Sequence, residues 1–121
     1  MTVLTIYERC GGFATVRKIV TDFYDRALDE EALAHHFDQV DMARLIDHQT
    51  KFVSFLLDGP ASFSDDHLER VHAHLAITLP EFDLMTEVMC DTLADWGLGP
   101  EDIAIVDQRL RQRESIIVTV R

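Results

Sequence analysis

Apolar residues recur at helical spacing through most of this chain. Val16, Ile19, Val20, Phe23 and Ala27 fall at offsets of 3, 4, 7 and 11, and Arg17, Lys18, Asp22, Asp25 and Arg26 cover the opposite side. That pattern predicts an amphipathic helix from about Ala14 to Leu28. Before it, a short helix over Val3 to Cys10 is expected to stop at Gly11-Gly12, where glycine tolerates positive φ. After it, Glu30 to His35 has room for one helical turn, with Phe37 as its aromatic anchor; His35 and His36 read as mostly solvated, with His36 the one expected to touch the core beside Phe37. Asp41 is a good N-cap for a helix over Met42 to Leu57, whose inner face is Met42, Leu45, Phe52, Val53 and Leu56. Asp58-Gly59-Pro60 ends that helix, and Ser64 or Asp65 can cap a short one carrying Leu68, His72 and Leu75 on one face. Thr78-x-x-Glu81 reads as a capping box for a helix with Phe82, Met85, Met89, Leu93 and Trp96 inward. A last helix starts near Glu101, with Ile103, Val106, Leu110 and Ile117 facing the core. The β-prone tail Ile116–Val120 has no partner strand in this reading and is expected to continue or fray from that helix.

The sum is an all-α domain of about six helices, and 121 residues suit a single domain spanning 1–121. Composition excludes more than it adds. The net charge of −11 argues against nucleic acid and against anionic membrane as partners. No apolar run is long enough to span a bilayer, and the N-terminus lacks the pattern of a signal peptide. Cys10 and Cys90 form no C-x-x-C pair and read as reduced thiols, consistent with a cytoplasmic location. Without C-x-x-C-H, covalent haem attachment of that kind is unavailable.

Three polar side chains interrupt the apolar faces. His72 lies between Leu68 and Leu75, Gln49 between Leu45 and Phe52, and Tyr24 at the edge of its stripe, with Val20 and Leu28 one turn away on either side. An imidazole on an apolar face is either a hydrogen-bonded core histidine or a metal ligand. A buried amide left without a partner costs about 1–3 kcal/mol, so Gln49 calls for protein, water or a ligand beside it. Tyr24 can bury its ring and aim its hydroxyl at something polar, or face water. If the three faces converge, they enclose one polar spot in an apolar pocket.

In order along the chain, Tyr7–Gly12 (Y-E-R-C-G-G), Asp22–Leu28 (D-F-Y-D-R-A-L), Val40–Leu45 (V-D-M-A-R-L), His48–Phe52 (H-Q-T-K-F), D-G-P, Val71-His72 and Ile77–Phe82 (I-T-L-P-E-F) form a series. With these pieces in register the chain resembles the truncated haemoglobins, most closely their first group. The resemblance implies a shortened globin fold, a two-over-two helical sandwich around non-covalent haem b. It makes His72 the proximal iron ligand and Tyr24 and Gln49 the distal pair that hydrogen-bonds O2. Phe23 and Phe37 become pocket aromatics, and Leu45 takes the place where ordinary globins carry a distal histidine. Arg44 and Lys51 are candidates for the haem propionates. Phe52, Phe63, Ile77, Phe82 and Met85 complete the expected cofactor contacts. His48 is a possible distal iron ligand, as in some cyanobacterial and algal relatives, or an exposed histidine near a propionate. His74 faces elsewhere than His72. With no histidine after His74, the covalent vinyl link of the cyanobacterial relatives is excluded.

The chain departs from the family pattern at Asp58 (usually Gly), at Phe63-Ser64-Asp65 (usually an aromatic with Thr-Gly) and at His36 (usually Phe). The first two bear on the loop leading into the His72 helix. The implied partners are O2, NO or CO and an unidentified reductase, and the implied state is a monomer or weak dimer. The implied function is oxygen binding or transport, with NO dioxygenase-type or peroxidase chemistry as a further activity. The rivals are a cofactor-free acidic helical interaction or signalling domain, which would tolerate His72→Leu, and a non-haem metal site made from the six histidines. Neither H-E-x-x-H nor a pair of Glu-x-x-His motifs is present to support the latter.

Overall fold

A computed structural model describes residues 3–61, 64–73 and 75–120, with only the backbone of Val71. Phe63 and His74 lie outside the described residues. The described chain forms α1 (Ile6–Cys10), α2 (Phe13–Asp29), α3 (Glu31–Ala34), a 3-10 turn (His35–Phe37), α4 (Met42–Leu56), α5 (Asp65–His72), α6 (Leu79–Asp95), α7 (Pro100–Arg111) and α8 (Glu114–Ile117). Helices α2 and α4 form one pair and α6 and α7 the other, with α2 packed on α6 and α4 on α7. This is the expected two-over-two sandwich, and none of its described helices is long and apolar enough to cross a membrane.

Local chemistry sets the helix ends. Asp41 caps α4 through Arg44 N–H, and Ser64 caps α5 through His67 N–H. Thr78 and Glu81 form the expected capping box of α6. A second box, Thr5 with Glu8, starts α1 at Ile6, three residues later than the apolar pattern suggests. Such caps contribute about 1 kcal/mol each. Gly11 and Gly12 carry φ of 116° and 80°, as expected of a glycine turn. At the end of α4, however, it is Asp58 that takes the left-handed conformation, with φ 66°. Gly59 serves close approach instead, since a Cβ there would meet Tyr7 Cδ2 at 2.6 Å and the Ser54 carbonyl oxygen at 2.8 Å. Arg109 donates to the Leu56 carbonyl at 2.6 Å and pairs with Asp58 at 3.1 Å, neutralising the negative end of α4.

Two expectations fail. Trp96 is exposed, and its indole N–H donates to Asp22 at 2.9 Å, so the ring lies over the surface of α2 rather than in the core. The tail does find a partner. Val118 turns extended after α8, and the N–H groups of Thr119 and Val120 both donate to the Ile77 carbonyl at 2.9 and 3.0 Å. Ile77 N–H donates to Thr119 Oγ1, and Thr78 and Val120 form a single parallel bridge. The partner is the loop that follows α5, so the end of the chain braces the segment carrying His72.

Candidate functional site

The four main helices leave a cleft between them. It encloses about 1130 Å³ when its open mouth is counted. Helix α2 contributes Val20, Phe23, Tyr24 and Ala27, and α4 contributes Leu45, Gln49, Phe52, Val53 and Leu56. Leu68 and His72 of α5 stand in the same lining, with Leu75 and Ile77 after them. Met85 and Met89 of α6 and Phe37 of the 3-10 turn close the wall. The helical stripes account for this: the residues that face inward on α2 and α4 are those at the predicted spacing.

Three of the wall's polar side chains are those singled out in the sequence, now brought together. His72 Nδ1 lies 2.8 Å from the carbonyl of Leu68, one turn back on α5. A ring nitrogen beside a carbonyl oxygen carries the proton and donates it, which leaves Nε2 with a free lone pair. Burial pushes the His72 pKa below the ordinary histidine value, against the smaller upward pull of the Leu68 carbonyl, so the ring is neutral near pH 7. Nε2 has no hydrogen-bond partner among the described residues.

Tyr24 is 7% exposed, its ring held edge-on against Phe23 and Phe37 at centroid distances of 4.9 and 5.6 Å. Burial drives its phenol pKa far above the ordinary value, so the hydroxyl stays protonated and able to donate. Neither that hydroxyl nor the half-buried Gln49 amide has a partner among the described residues. A neutral imidazole with a free lone pair and two unpaired donors, set in an apolar wall, is a donor set suited to a flat apolar cofactor carrying a metal, with a small polar ligand on it.

The remaining candidates divide. Phe23, Phe37, Leu45, Phe52, Ile77 and Met85 line the cleft. Phe82 is fully buried but stands behind the wall, outside the lining. His48, Arg44 and Lys51 are exposed and outside the lining, because α4 turns that flank to solvent. Sequence reasoning placed His36 toward the core but missed its pairing with Glu81; both line the cleft and meet at 2.9 Å. It also missed Leu110 and Ile117, which reach the wall from the last helices. Glu81 was legible as a capping residue, but nothing local signalled that its second carboxylate oxygen reaches the corner after α3.

A two-over-two helical sandwich closed on such a cleft is the architecture of a shortened globin. The chain belongs to the bacterial-like globin family, whose profile matches residues 5–118. It is 31% identical over 103 residues to a group 1 truncated haemoglobin of Synechocystis, covering 82% of each chain. It is likewise 31% identical over 94 residues to that of Tetrahymena pyriformis, covering 78% of each. Among solved structures, the 2/2 haemoglobin of Synechococcus in its cyanomet state, with covalently attached haem, superposes with a TM-score of 0.87 at 26% identity. That match covers 95% of this chain and 98% of the other. A ferric Tetrahymena pyriformis truncated haemoglobin, a tyrosine-to-phenylalanine mutant, gives 0.86 at 25% identity with the same coverage. Membership of this family implies a haem-binding, gas-binding protein.

Proposed function

We propose that this chain binds haem b without a covalent link and uses it to bind O2 reversibly, with His72 as the iron ligand and Tyr24 and Gln49 as the distal donors. The observation that carries this reading is the state of His72: a buried, neutral imidazole with Nδ1 committed to the Leu68 carbonyl and Nε2 unpaired beside the cleft. Haem, if bound, would supply an iron able to take a diatomic gas. His72 would hold the iron through Nε2, with the Leu68 carbonyl fixing the ring's tautomer and direction. Tyr24 and Gln49 donate toward the gas, in a setting of low dielectric where such bonds are strong. Phe23, Phe37, Leu45, Phe52 and Met85 exclude water from it. Arg44 and Lys51, exposed on α4 and without ion pairs among the described residues, are free to meet the propionates at the mouth. The chain has neither C-x-x-C-H nor a histidine beyond His74 to bond the haem edge. His48 is exposed and outside the cleft lining, so in this reading it would not be an iron ligand.

Absorption spectra of the haem-reconstituted protein, ferric and then dithionite-reduced, test the proposal in wild type, His48→Ala and His72→Leu. Stoichiometric haem uptake with a five-coordinate ferrous spectrum in wild type and His48→Ala is expected, with the imidazole signature lost in His72→Leu. A six-coordinate ferrous spectrum that disappears only in His48→Ala would overturn the distal assignment. A colourless protein would return the chain to a cofactor-free role, and haem spectra unchanged in His72→Leu would overturn His72 as the iron ligand.

A further inference from the structure

His35 and His36 are neighbours in sequence, and on an α-helix adjacent side chains diverge by about 100°. Here they converge. The chain leaves α3 in a 3-10 turn that starts at His35, and the two rings lie against each other with centroids 4.0 Å apart and planes tilted by 38°. Both Nε2 atoms then meet one carboxylate oxygen from an element 45 residues further on: His36 Nε2 lies 2.9 Å and His35 Nε2 3.5 Å from Glu81 Oε2. His35 is solvated, at 58% side-chain exposure, while His36, the one expected to touch the core, is buried further than a mostly solvated residue, at 11%.

We propose that His35, His36 and Glu81 form a binding site for a divalent transition cation of the zinc class, at the edge of the cleft. The three ligand atoms all lie within 4.8 Å of one another. A tetrahedral zinc with ligands at about 2.0–2.2 Å needs neighbouring ligand atoms roughly 3.3–3.5 Å apart. The observed 2.9 and 3.5 Å contacts to Glu81 bracket that spacing, so a cation between them requires only small side-chain shifts. Two imidazoles with one carboxylate favour zinc, copper or nickel over magnesium or calcium, which prefer all-oxygen sets. A fourth position is left to water on the exposed side of His35.

The carboxylate is also prepared for the task. Glu81 Oε1 accepts from Thr78 N–H at 2.9 Å as part of the α6 capping box, which holds Oε2 toward the imidazoles. That is the outer-shell support that metal-ligating carboxylates typically carry. Burial raises the Glu81 pKa, but the bonds from Thr78 and His36 together bring it below the ordinary value. The consequence is mechanical. A bound cation ties the corner after α3 to the start of α6, and the next residue in that corner, Phe37, packs edge-on against Tyr24. The site stands on these residues alone and does not require the cleft to hold haem.

The test uses haem-loaded protein freed of other metals, titrated with Zn2+ in competition with a chromophoric chelator. Wild type is expected to take up one tightly held Zn2+. His35→Ala and Glu81→Gln are each expected to weaken it by about 100-fold, the upper range for losing a supporting group at a metal site, and His48→Ala to leave it unchanged. His35→Ala removes an exposed ring and keeps the His36–Glu81 contact, and Glu81→Gln keeps an acceptor for Thr78, so both variants should fold, as circular dichroism will register. No tight uptake by wild type, or uptake unaltered in both variants, overturns the site. The haem spectrum is read separately in the same samples, so failure here is distinct from failure of haem binding.

Discussion

The two sides of the cleft are built by different means. The side carrying His72 is a helix of eight residues, mostly exposed, anchored in the core by Leu68 at 2% exposure. It is held by directed bonds: the Ser64 cap at its start, the Leu68 carbonyl under the imidazole, and the chain terminus clamped on Ile77. The opposite side consists of α2 and α4, of 17 and 15 residues, held by packing of whole faces. There the buried hydroxyls are satisfied inside their own helices, Thr50 on Ile46 and Ser54 on Thr50, while Tyr24 and Gln49 have no partner among the described residues. One side spends its hydrogen bonds to fix a single nitrogen. The other fixes its backbone by apolar contact and keeps its donors for a ligand. A metal ligand must not tilt, whereas a donor to a small gas must be free until the gas arrives.

The sharpest test of this contrast is Tyr24→Phe, which removes one distal donor and keeps the ring that packs on Phe23 and Phe37. A hydrogen bond to a charged or strongly polarised group contributes about 1.5–3 kcal/mol, so the O2 off-rate should rise roughly 10- to 100-fold in stopped-flow displacement. CO gathers little negative charge and should leave at nearly the wild-type rate. Equal effects on the two gases would sink the distal-donor assignment. Because the hydroxyl is unpaired without ligand, the same substitution should not destabilise the haem-free protein in a urea titration. A loss of stability there would mean that Tyr24 is a structural bond and the two sides are alike.

The second test addresses the other side. Ser64→Ala removes the hydroxyl that accepts from His67 N–H and should cost about 1 kcal/mol. If α5 depends on directed bonds, that loss falls on the His72 segment. Hydrogen exchange should then accelerate in α5 more than in α2 or α4, and haem should transfer faster to an acceptor protein. Uniform acceleration across all helices would show that α5 has no separate stability and that packing, not its cap, holds it.

What could be read from the sequence follows the same division. The faces of α2 and α4 were legible because packing writes a periodic signal: Val16, Val20 and Phe23, or Leu45, Phe52 and Leu56, repeat every turn. The caps Asp41 and Thr78 were legible because capping is local. Tyr24, Gln49 and His72 stood out as polar interruptions of those faces, and their grouping around one cleft follows from the helix phases. The tail was misread because its partner, Ile77, lies some forty residues earlier, and a single bridge leaves no alternating pattern. Trp96 was misread because its position on the α6 stripe says inward, while an Asp22 carboxylate 74 residues away offers the indole N–H a partner outside. His36 and Glu81 were not joined for the same reason: a 3-10 turn defeats helical phase counting, and the meeting is long-range. Periodic and local chemistry is visible in one dimension, and isolated long-range polar pairs are not.

The smallest effect should come from the outer surface of α2, where Asp22 accepts from Trp96 and pairs with Arg26, which also reaches Asp95 at 2.8 Å. If packing alone holds this side, the network is dispensable, and Asp22→Asn should cost less than about 1 kcal/mol, as expected of partly exposed pairs. The sign of its pH dependence can be worked out. The Trp96 indole, and after it the Arg26 guanidinium, hold the Asp22 carboxyl below its ordinary pKa. At intermediate pH on the acid side the unfolded chain therefore binds the proton that the folded chain refuses. The contribution is complete above the unfolded carboxyl value of about 3.9 and is lost as pH falls through the lower folded value. Urea titrations of wild type and Asp22→Asn should accordingly differ slightly at pH 7 and converge as the pH falls through the lowered carboxyl value. A cost of several kcal/mol at pH 7 would place α2 among the elements held by directed bonds, and the distinction between the two sides of the cleft would fail.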